Sequence, residues 1–195
     1  MIKSILTLLA FVSITAFAQS QEWKVDPAHS SLHFGIDHLT ISEVRGSFED
    51  FSMEVKADKA NFSDAKFSVL VQTASVNTGV PQRDEHLKSP DFFNTQKNPT
   101  IKFVGKKFDR QKSGSYKVYG ELTLNGVTKE ITLHGELSPV IKDPWGSERI
   151  GLKISGIIDR YAFGMKYNSL LETGGLVIGQ EVRLLGNVEL TKVEK

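Results

Sequence analysis

The feature that most constrains the fold of this 195-residue chain is the alternation of apolar and polar residues along most of its length. Between Ser115 and Leu124, apolar residues or glycine occupy every second position. Because successive side chains of a β-strand point to opposite faces, this pattern predicts a strand with one buried face. Asn125-Gly126 follows, a pair suited to the positive φ angles of a type I′ turn, and a second alternating segment continues to Leu137. We therefore predict a β-hairpin here.

The same period of two recurs elsewhere in the chain and predicts eight strands in total. Between Phe48 and Phe51 the apolar positions change from even to odd numbers, which indicates a β-bulge near Glu49-Asp50. The predicted strands lie near residues 31–37, 44–56, 65–74, 100–109, 115–124, 127–137, 148–160 and 180–193.

Glycines occupy several of the apolar positions within the longer predicted strands, where a flat sheet would gain from a larger side chain. We interpret them as sites of curvature or as the lining of a cavity. Eight antiparallel strands can close into a barrel that holds one small ligand, so the predicted fold is an all-β, eight-stranded antiparallel barrel. A two-sheet sandwich is the structural alternative. The glycines concerned are Gly46, Gly120, Gly135, Gly156 and Gly186.

One short helical insertion is predicted from Pro81 to Asn94, between strands three and four. Pro81 can occupy the first helical position, and Asp84-Glu85 lies in the first turn, where negative charge interacts favourably with the helix dipole. We expect this insertion to cover one mouth of the barrel and to place Phe92-Phe93 against it.

Composition excludes several classes of function. Lys and Arg total 24 against 23 Asp and Glu, so the chain lacks the positive excess that a nucleic-acid groove needs, and no nucleic-acid partner is expected. The chain has no cysteine, which excludes disulfides, a thiolate nucleophile and thiolate metal sites. The predicted fold must therefore be stabilised by packing alone.

The amino terminus is typical of a secretory signal peptide. Lys3 is followed by an uncharged apolar run from Ile5 to Ala18, and Ala16-Phe17-Ala18 fits a small-x-small cleavage site. The run is too short to cross a bilayer, and no later stretch is longer, so no stable membrane insertion is expected. We predict a signal peptide at residues 1–18, one domain at residues 19–195, and secretion to a periplasm.

Two groups of polar residues could suggest chemistry. His29, His33 and His38 have spacings that point their imidazoles apart, so we predict no metal site, and we expect His29 to hydrogen-bond within the turn that begins at Asp26. The run from Arg83 to His86 has four ionisable residues in one turn, but no nucleophile elbow, phosphate loop or zinc motif accompanies it. We expect a solvated helix face or recognition of a polar head group by Arg83.

Several blocks of the chain resemble the YceI-like family, and the similarity covers nearly all of residues 19–195. They include Trp23-Lys-Val-Asp26-Pro-Ala-His29-Ser30, Arg83-Asp84-Glu85-His86-Leu87 with the following Phe92-Phe93, and Leu122-Thr123-Leu-Asn-Gly126-Val127-Thr128.

The resemblance implies a lipocalin-like barrel, usually exported, that encloses a polyisoprenoid or a fatty-acid derivative and can pair as a homodimer. By position, it implies that five apolar residues line the lumen, that four polar residues lie at the mouth and that Phe92-Phe93 closes over the ligand. Tyr161-Ala162 departs from the family's more usual polar lead into Phe-Gly, and Tyr161 is added to the candidates. The lumen residues are Phe34, Ile36, Phe48, Phe103 and Phe163, and the mouth residues are His38, Arg83, Asp84 and His86.

We therefore predict a non-catalytic carrier of a long apolar molecule such as a polyisoprenoid, an isoprenoid quinone or a fatty-acid amide, with no cofactor beyond that ligand. One alternative is an enzyme that acts on a lipid head group through Arg83, Asp84 and His86. Another is a structural or stress-response module whose barrel is filled by its own aromatic side chains.

Overall fold

Antiparallel β-strands form most of the protein, whose structure is a computed structural model that describes residues 21–59, 61–169 and 176–194. The predicted signal peptide lies outside the described residues. The strands are β1 (Gln21–Val25), β2 (Ser31–His38), β3 (Ser42–Phe48), β4 (Phe51–Ala57), β5 (Lys66–Gln72), β6 (Val76–Asn77), β7 (Thr100–Arg110), β8 (Tyr116–Leu124), β9 (Val127–Leu137), β10 (Ile141–Lys142), β11 (Glu148–Asp159) and β12 (Ile178–Lys192).

The described strands close into an eight-stranded ring. Its order is β1-β4-β5-β7-β8-β9-β11-β12, and β12 pairs antiparallel with both β11 and β1. Three further strands, β2, β3 and β6, extend the wall beyond β1, β4 and β5. β2 pairs with β12 and with β3, and β3 pairs with β6. The closed barrel predicted from the alternation is confirmed, and the sandwich alternative is wrong.

The first strand begins earlier than the alternation predicted. β1 precedes a short 3₁₀ helix, Pro27–His29, and only β2 corresponds to the predicted strand near residues 31–37. With only five residues, β1 is too short for an alternating pattern to be recognised in the sequence. Trp23 of β1 is nevertheless 2% exposed and pairs with Val55 and Lys192, so β1 completes the barrel wall.

The predicted change of phase near Glu49-Asp50 coincides with the break between β3 and β4. At this break the Glu49 amide donates to the Ser75 carbonyl at 3.1 Å, and the Gln72 amide donates to the Asp50 carbonyl at 2.9 Å. The break between β3 and β4 thus lies beside the break between β5 and β6. The apolar residues face inward on both sides of each break.

The hairpin of β8 and β9 agrees with the sequence. Leu124 pairs with Val127, and both turn residues have positive φ, 50° at Asn125 and 76° at Gly126. These are the angles that a type I′ turn requires.

The helical insertion is present but shorter than predicted. α1 spans Pro81–Lys88, because Ser89 precedes a proline and adopts an extended conformation (ψ 169°). The following residues form turns that bury Phe92 (6% exposed). None of the helices among the described residues is long and apolar enough to cross a membrane.

Two of the inward glycines make room for aromatic rings of the neighbouring strand. A Cβ at Gly46 would overlap the ring of Phe34, its cross-strand partner, and a Cβ at Gly120 would overlap the ring of Phe103. Of the two interpretations given for these glycines, curvature of the sheet or the lining of a cavity, the second does not apply to Gly46 and Gly120, which are not in the cavity lining. They let bulky rings lie flat on the barrel wall.

The interior has two different ends. At one end, residues of β2 and β12 line a cavity together with residues of α1 and of the loop after it, and we call this end the mouth. At the other, which we call the packed end, buried side chains of β1, β4, β7, β8, β11 and β12 and of the loop after β4 belong to the hydrophobic core. They include Trp23, Val55, Phe62, Phe108, Tyr116, Val118, Ile150, Leu152 and Leu190.

Candidate functional site

The mouth half of the barrel encloses a cavity of about 650 Å³. Inward-facing residues of nine strands line it, and nearly all of them are aliphatic or aromatic. They lie inward because the alternation of each strand puts its apolar set on one face. Examples from opposite sides of the ring are Met53, Val69, Leu133 and Val182. A cavity of this size is within the range of ligand-binding pockets in proteins.

The mouth is where polar and exposed residues join this lining. Asp37, Gln82 and His86, all exposed, line the cavity together with Arg83. The cavity therefore borders solvent where exposed residues of β2 and α1 line it.

The structure places nine of the twelve candidate ligand-binding residues in the lining of this one cavity and three outside it. The nine are Phe34, Ile36, His38, Phe48, Arg83, His86, Phe92, Phe93 and Phe103, and the three are Asp84, Tyr161 and Phe163.

A ladder of aromatic rings forms the wall beside the mouth. Phe34 and Phe48 lie with ring centroids 5.7 Å apart, and Phe48 and Phe93 are 5.6 Å apart in an edge-to-face arrangement. Edge-to-face contacts of this kind are favourable beyond the area that they bury. Phe93 therefore connects the loop after α1 to the barrel wall. This contact agrees with the prediction that Phe92-Phe93 packs against the barrel.

His86 lies in an aromatic setting at the mouth. Its ring is edge-to-face with those of Phe92, at 5.1 Å, and Tyr167, at 4.9 Å. Its Nε2 is 3.0 Å from Oδ2 of Asp91. His86 thus contacts an acidic partner and two aromatic rings, and it lines the cavity.

Asp84 has a structural contact that explains its place outside the lining. Its carboxylate accepts hydrogen bonds from the Thr78 amide at 2.9 Å and from the Thr78 hydroxyl at 2.5 Å. Arg83 donates from Nε to the same hydroxyl at 2.8 Å and from Nη2 to the Thr78 carbonyl at 2.9 Å. Both residues therefore fix the turn that enters α1, and Asp84 and His86 do not converge on a common point in the cavity.

Phe163, expected to line the lumen, and Tyr161, a further candidate for ligand binding, both lie outside the cavity lining. β11 ends at Asp159 and the chain turns into a short 3₁₀ helix, Arg160–Phe163, so the strand alternation no longer decides where these side chains point. Phe163 packs into the core at 2% exposure. Tyr161 lies beneath the guanidinium of Arg160, 4.5 Å from it.

Arg160 is a cavity residue that sequence reasoning did not identify. It is 2% exposed, although arginine is rarely buried, and its guanidinium donates to the carbonyls of Met165, Tyr167 and Gly179 at 2.7 to 2.9 Å. Burial lowers the pKa of Arg160 below its ordinary value. The sequence offered no signal for this, because the acceptors are backbone atoms.

A second polar cluster lies at the packed end. Oδ2 of Asp26 and Oε1 of Glu189 both accept hydrogen bonds from Nη1 of Arg149, at 2.7 and 2.6 Å. Nδ1 of His29 is 3.0 Å from Oδ2 of Asp26, which confirms the predicted contact within this turn. Asp26, His29 and Glu189 have their ligand atoms within 4.8 Å of one another, a spacing that could suit a metal ion. Both carboxylates, however, already form ion pairs with the positively charged guanidinium of Arg149.

Comparison with known proteins agrees with the closed barrel and the residue blocks described above. The model of the YceI-like domain matches residues 23–190. The chain belongs to the YceI-like family. A UPF0312 protein of Staphylococcus aureus is 40% identical over 167 residues, which are 85% of this chain and 95% of that protein.

Solved structures share the fold of this YceI-like chain. A YCEI protein of Campylobacter jejuni is 35% identical, with a TM-score of 0.69 over 82% of this chain and 91% of that one. BcnA of Burkholderia cenocepacia has a TM-score of 0.74 at 21% identity, covering 85% of this chain and 98% of that one. A polyisoprenoid binding domain from Saccharophagus degradans has a TM-score of 0.62 at 17% identity, covering 87% and 97%. The last two likenesses concern the fold alone.

Proposed function

We propose that this protein binds a long apolar molecule in its barrel and carries it without changing it chemically. The observation that carries the proposal is the cavity of about 650 Å³ with its almost wholly apolar lining. Membership of the YceI-like family supports it. A domain described as polyisoprenoid binding, from Saccharophagus degradans, has the same fold. A polyisoprenoid, an isoprenoid quinone or a fatty-acid amide has the required chemistry.

Burial of an aliphatic chain is enough to account for tight binding. Each buried methylene contributes about 0.8 kcal/mol, so a chain of about twenty carbons gains about 16 kcal/mol before the cost of immobilising it. Micromolar affinity needs only about 8 kcal/mol. The polar groups at the mouth are then left to orient the head group.

The geometry favours carriage over catalysis by the Arg83, Asp84 and His86 group. Asp84 and Arg83 are engaged with Thr78, and Asp84 does not border the cavity. A general acid or base must lie within hydrogen-bond reach of the reacting atom, and Asp84 does not meet this condition for a ligand inside the barrel. We therefore propose that the bound molecule leaves unchanged.

The first test is the identity of the molecule that copurifies. The protein, expressed with its native amino terminus, is extracted with a denaturing organic solvent, and the extract is examined by mass spectrometry. We expect one lipid in stoichiometric amount. An empty extract, together with no uptake of added isoprenoid, would overturn the proposal.

A matched pair of variants then locates the binding site. Phe48→Asp places a charge in the lining, and Ile157→Asp places the same charge on the outer face of β11, where Ile157 is 60% exposed. We expect lipid uptake to fall at least tenfold in the first and to stay unchanged in the second. Because Phe48→Asp could fail to fold, Ile36→Trp, which fills the cavity with an apolar ring, serves as a second lining variant. Equal uptake by all of these variants would contradict binding in the barrel.

We also propose that the carrier is exported to the periplasm after removal of residues 1–18. The charge and apolar pattern of these residues supports this location. Cell fractionation and the amino-terminal sequence of the mature protein test it. Pairing into a homodimer stays a prediction of the family resemblance.

A further inference from the structure

The cavity ends abruptly about halfway along the barrel. Residues two apart on one strand face the same side of the sheet, so consecutive inward residues mark successive levels of the interior. On β4, Met53 lines the cavity, whereas Val55, two residues further along, lies outside the lining and is buried in the core. On β11, Ile154 lines the cavity, whereas Leu152 is packed at 2% exposure. The interior therefore changes from hollow to filled within one level of side chains.

Aromatic rings fill the packed half. Phe67 forms the floor of the cavity, and its ring lies edge-to-face with Phe108 at 4.9 Å. Phe108 contacts Tyr116 at 5.8 Å, and on the other side Trp23 contacts Phe62 at 5.4 Å. We call these five residues the aromatic plug.

The aromatic plug is anchored in the fold. The Tyr116 hydroxyl donates to the carbonyl of Asn61 at 3.0 Å, and that loop also supplies Phe62. All five rings are at most 5% exposed. A ligand would have to displace several well-packed rings at once to pass this level, and large cavities in a protein core are costly.

We propose that the aromatic plug limits the length of the aliphatic chain that the barrel accepts. The inference rests on the proposed function and adds the size class of the ligand. A methylene needs about as much space as a water molecule, roughly 30 Å³, so the cavity of about 650 Å³ holds a chain of about twenty carbons. Carbons beyond this number stay outside the mouth and add no affinity.

The test measures affinity against chain length in the full-length protein. Straight-chain fatty acids of about 12 to about 26 carbons displace a fluorescent naphthalene-sulfonate dye from the cavity, and each added methylene raises affinity by up to about fourfold while it is being buried. We expect the rise to stop near twenty carbons.

Two variants should change the depth of the cavity in opposite directions. Phe67→Ala removes the ring at the bottom of the cavity, and we expect the rise in affinity to continue for about four more carbons, the space of one lost ring. Val188→Phe enlarges a lining residue of β12 and should stop the rise several carbons earlier. Tyr119→Ala, an equal truncation on the outer face of β8, is the control and should keep the wild-type limit. Thermal unfolding shows which variants are folded, and either lining variant alone decides the question.

The outcomes separate this inference from the proposed function. If no chain displaces the dye from the wild-type protein and none is retained, both the proposed function and the plug are wrong. If chains bind but the length limit is absent, or is the same in wild type, Phe67→Ala and Val188→Phe, the plug alone is overturned.

Discussion

At the scale of single residues, Arg160 shows how a buried charge can serve the fold. Its guanidinium joins the end of β11 to the carbonyls of Met165, Tyr167 and Gly179, so it fixes the segment that leads into β12. These acceptors are uncharged, and none of the ion pairs among the described residues involves Arg160. Such a residue positions the cavity wall through hydrogen bonds alone.

Removing this guanidinium should destabilise the protein. Arg160→Met keeps an unbranched apolar side chain but leaves several carbonyls without their donor, each of which costs about 1–3 kcal/mol when buried. We expect the free energy of unfolding in urea to fall by about 3 kcal/mol. Arg45→Met, at a position where the side chain is 80% exposed, should change it little. Equal stability of the two variants would show that other donors replace Arg160.

Individual site residues could be predicted only where the strand pattern or the family resemblance fixed their direction. Phe34 and Phe103 are on alternating strands, and the structure places both in the cavity wall. Phe163 follows a strand that ends at Asp159, and a single 3₁₀ turn there moves its side chain into the core. Sequence periodicity carries no information about such a local change of backbone conformation.

At the scale of strands, aromatic rings pair with glycines across the sheet. Gly105 on β7 lies opposite Phe67 on β5, and a Cβ at Gly105 would overlap the Phe67 ring. Gly105 was not among the glycines singled out from the sequence, although it has the parity of Ile101 and Phe103 and the phase of β7 changes only after it. This pairing lets the Phe67 ring, which forms the floor of the cavity, lie against the barrel wall.

The pair of Gly105 and Phe67 should be energetically coupled. Gly105→Ala forces the buried ring to move, and overpacking of this kind costs about 1–3 kcal/mol. Phe67→Leu in the Gly105→Ala background relieves the overlap, so the double variant should be more stable than the sum of the single changes predicts. Urea unfolding of all four proteins gives the coupling energy. A coupling energy near zero would mean that the ring moves aside without strain.

At the scale of the whole molecule, the barrel was predictable because its strands are long and strictly alternating. The β8–β9 hairpin and seven of the eight ring strands follow from such patterns, whereas β1 does not. The position of the cavity floor was not predictable. Phe67 and Phe108 both face inward, yet only Phe67 lines the cavity, and which inward side chains leave space depends on how rings from different strands meet.

The packed end of the barrel is held together by charge as well as by apolar packing. Arg149 on β11 contacts Asp26 after β1, Asp143 in the loop after β10 and Glu189 on β12. This guanidinium thus links the strands at which the ring closes. The hydrogen bond from Arg149, followed by that from His29, lowers the pKa of Asp26 from 3.8 to about 2, and the hydrogen bond from Arg149 lowers the pKa of Asp143.

These lowered pKa values predict how acid unfolds the molecule. A carboxyl whose pKa is lower in the folded state stabilises it above the unfolded pKa, and that contribution is lost as the pH falls through the folded pKa. For Asp26 the window extends from about pH 4 to about pH 2. Asp26→Asn should therefore be less stable at pH 7 but lose less stability across this window than the wild-type protein. Asp58→Asn, which removes an exposed carboxyl outside the cluster, should leave the wild-type slope unchanged. Urea unfolding at a series of pH values gives the slope of the unfolding free energy against pH. Parallel curves for wild type and Asp26→Asn would show that this carboxylate does not stabilise the closure of the ring.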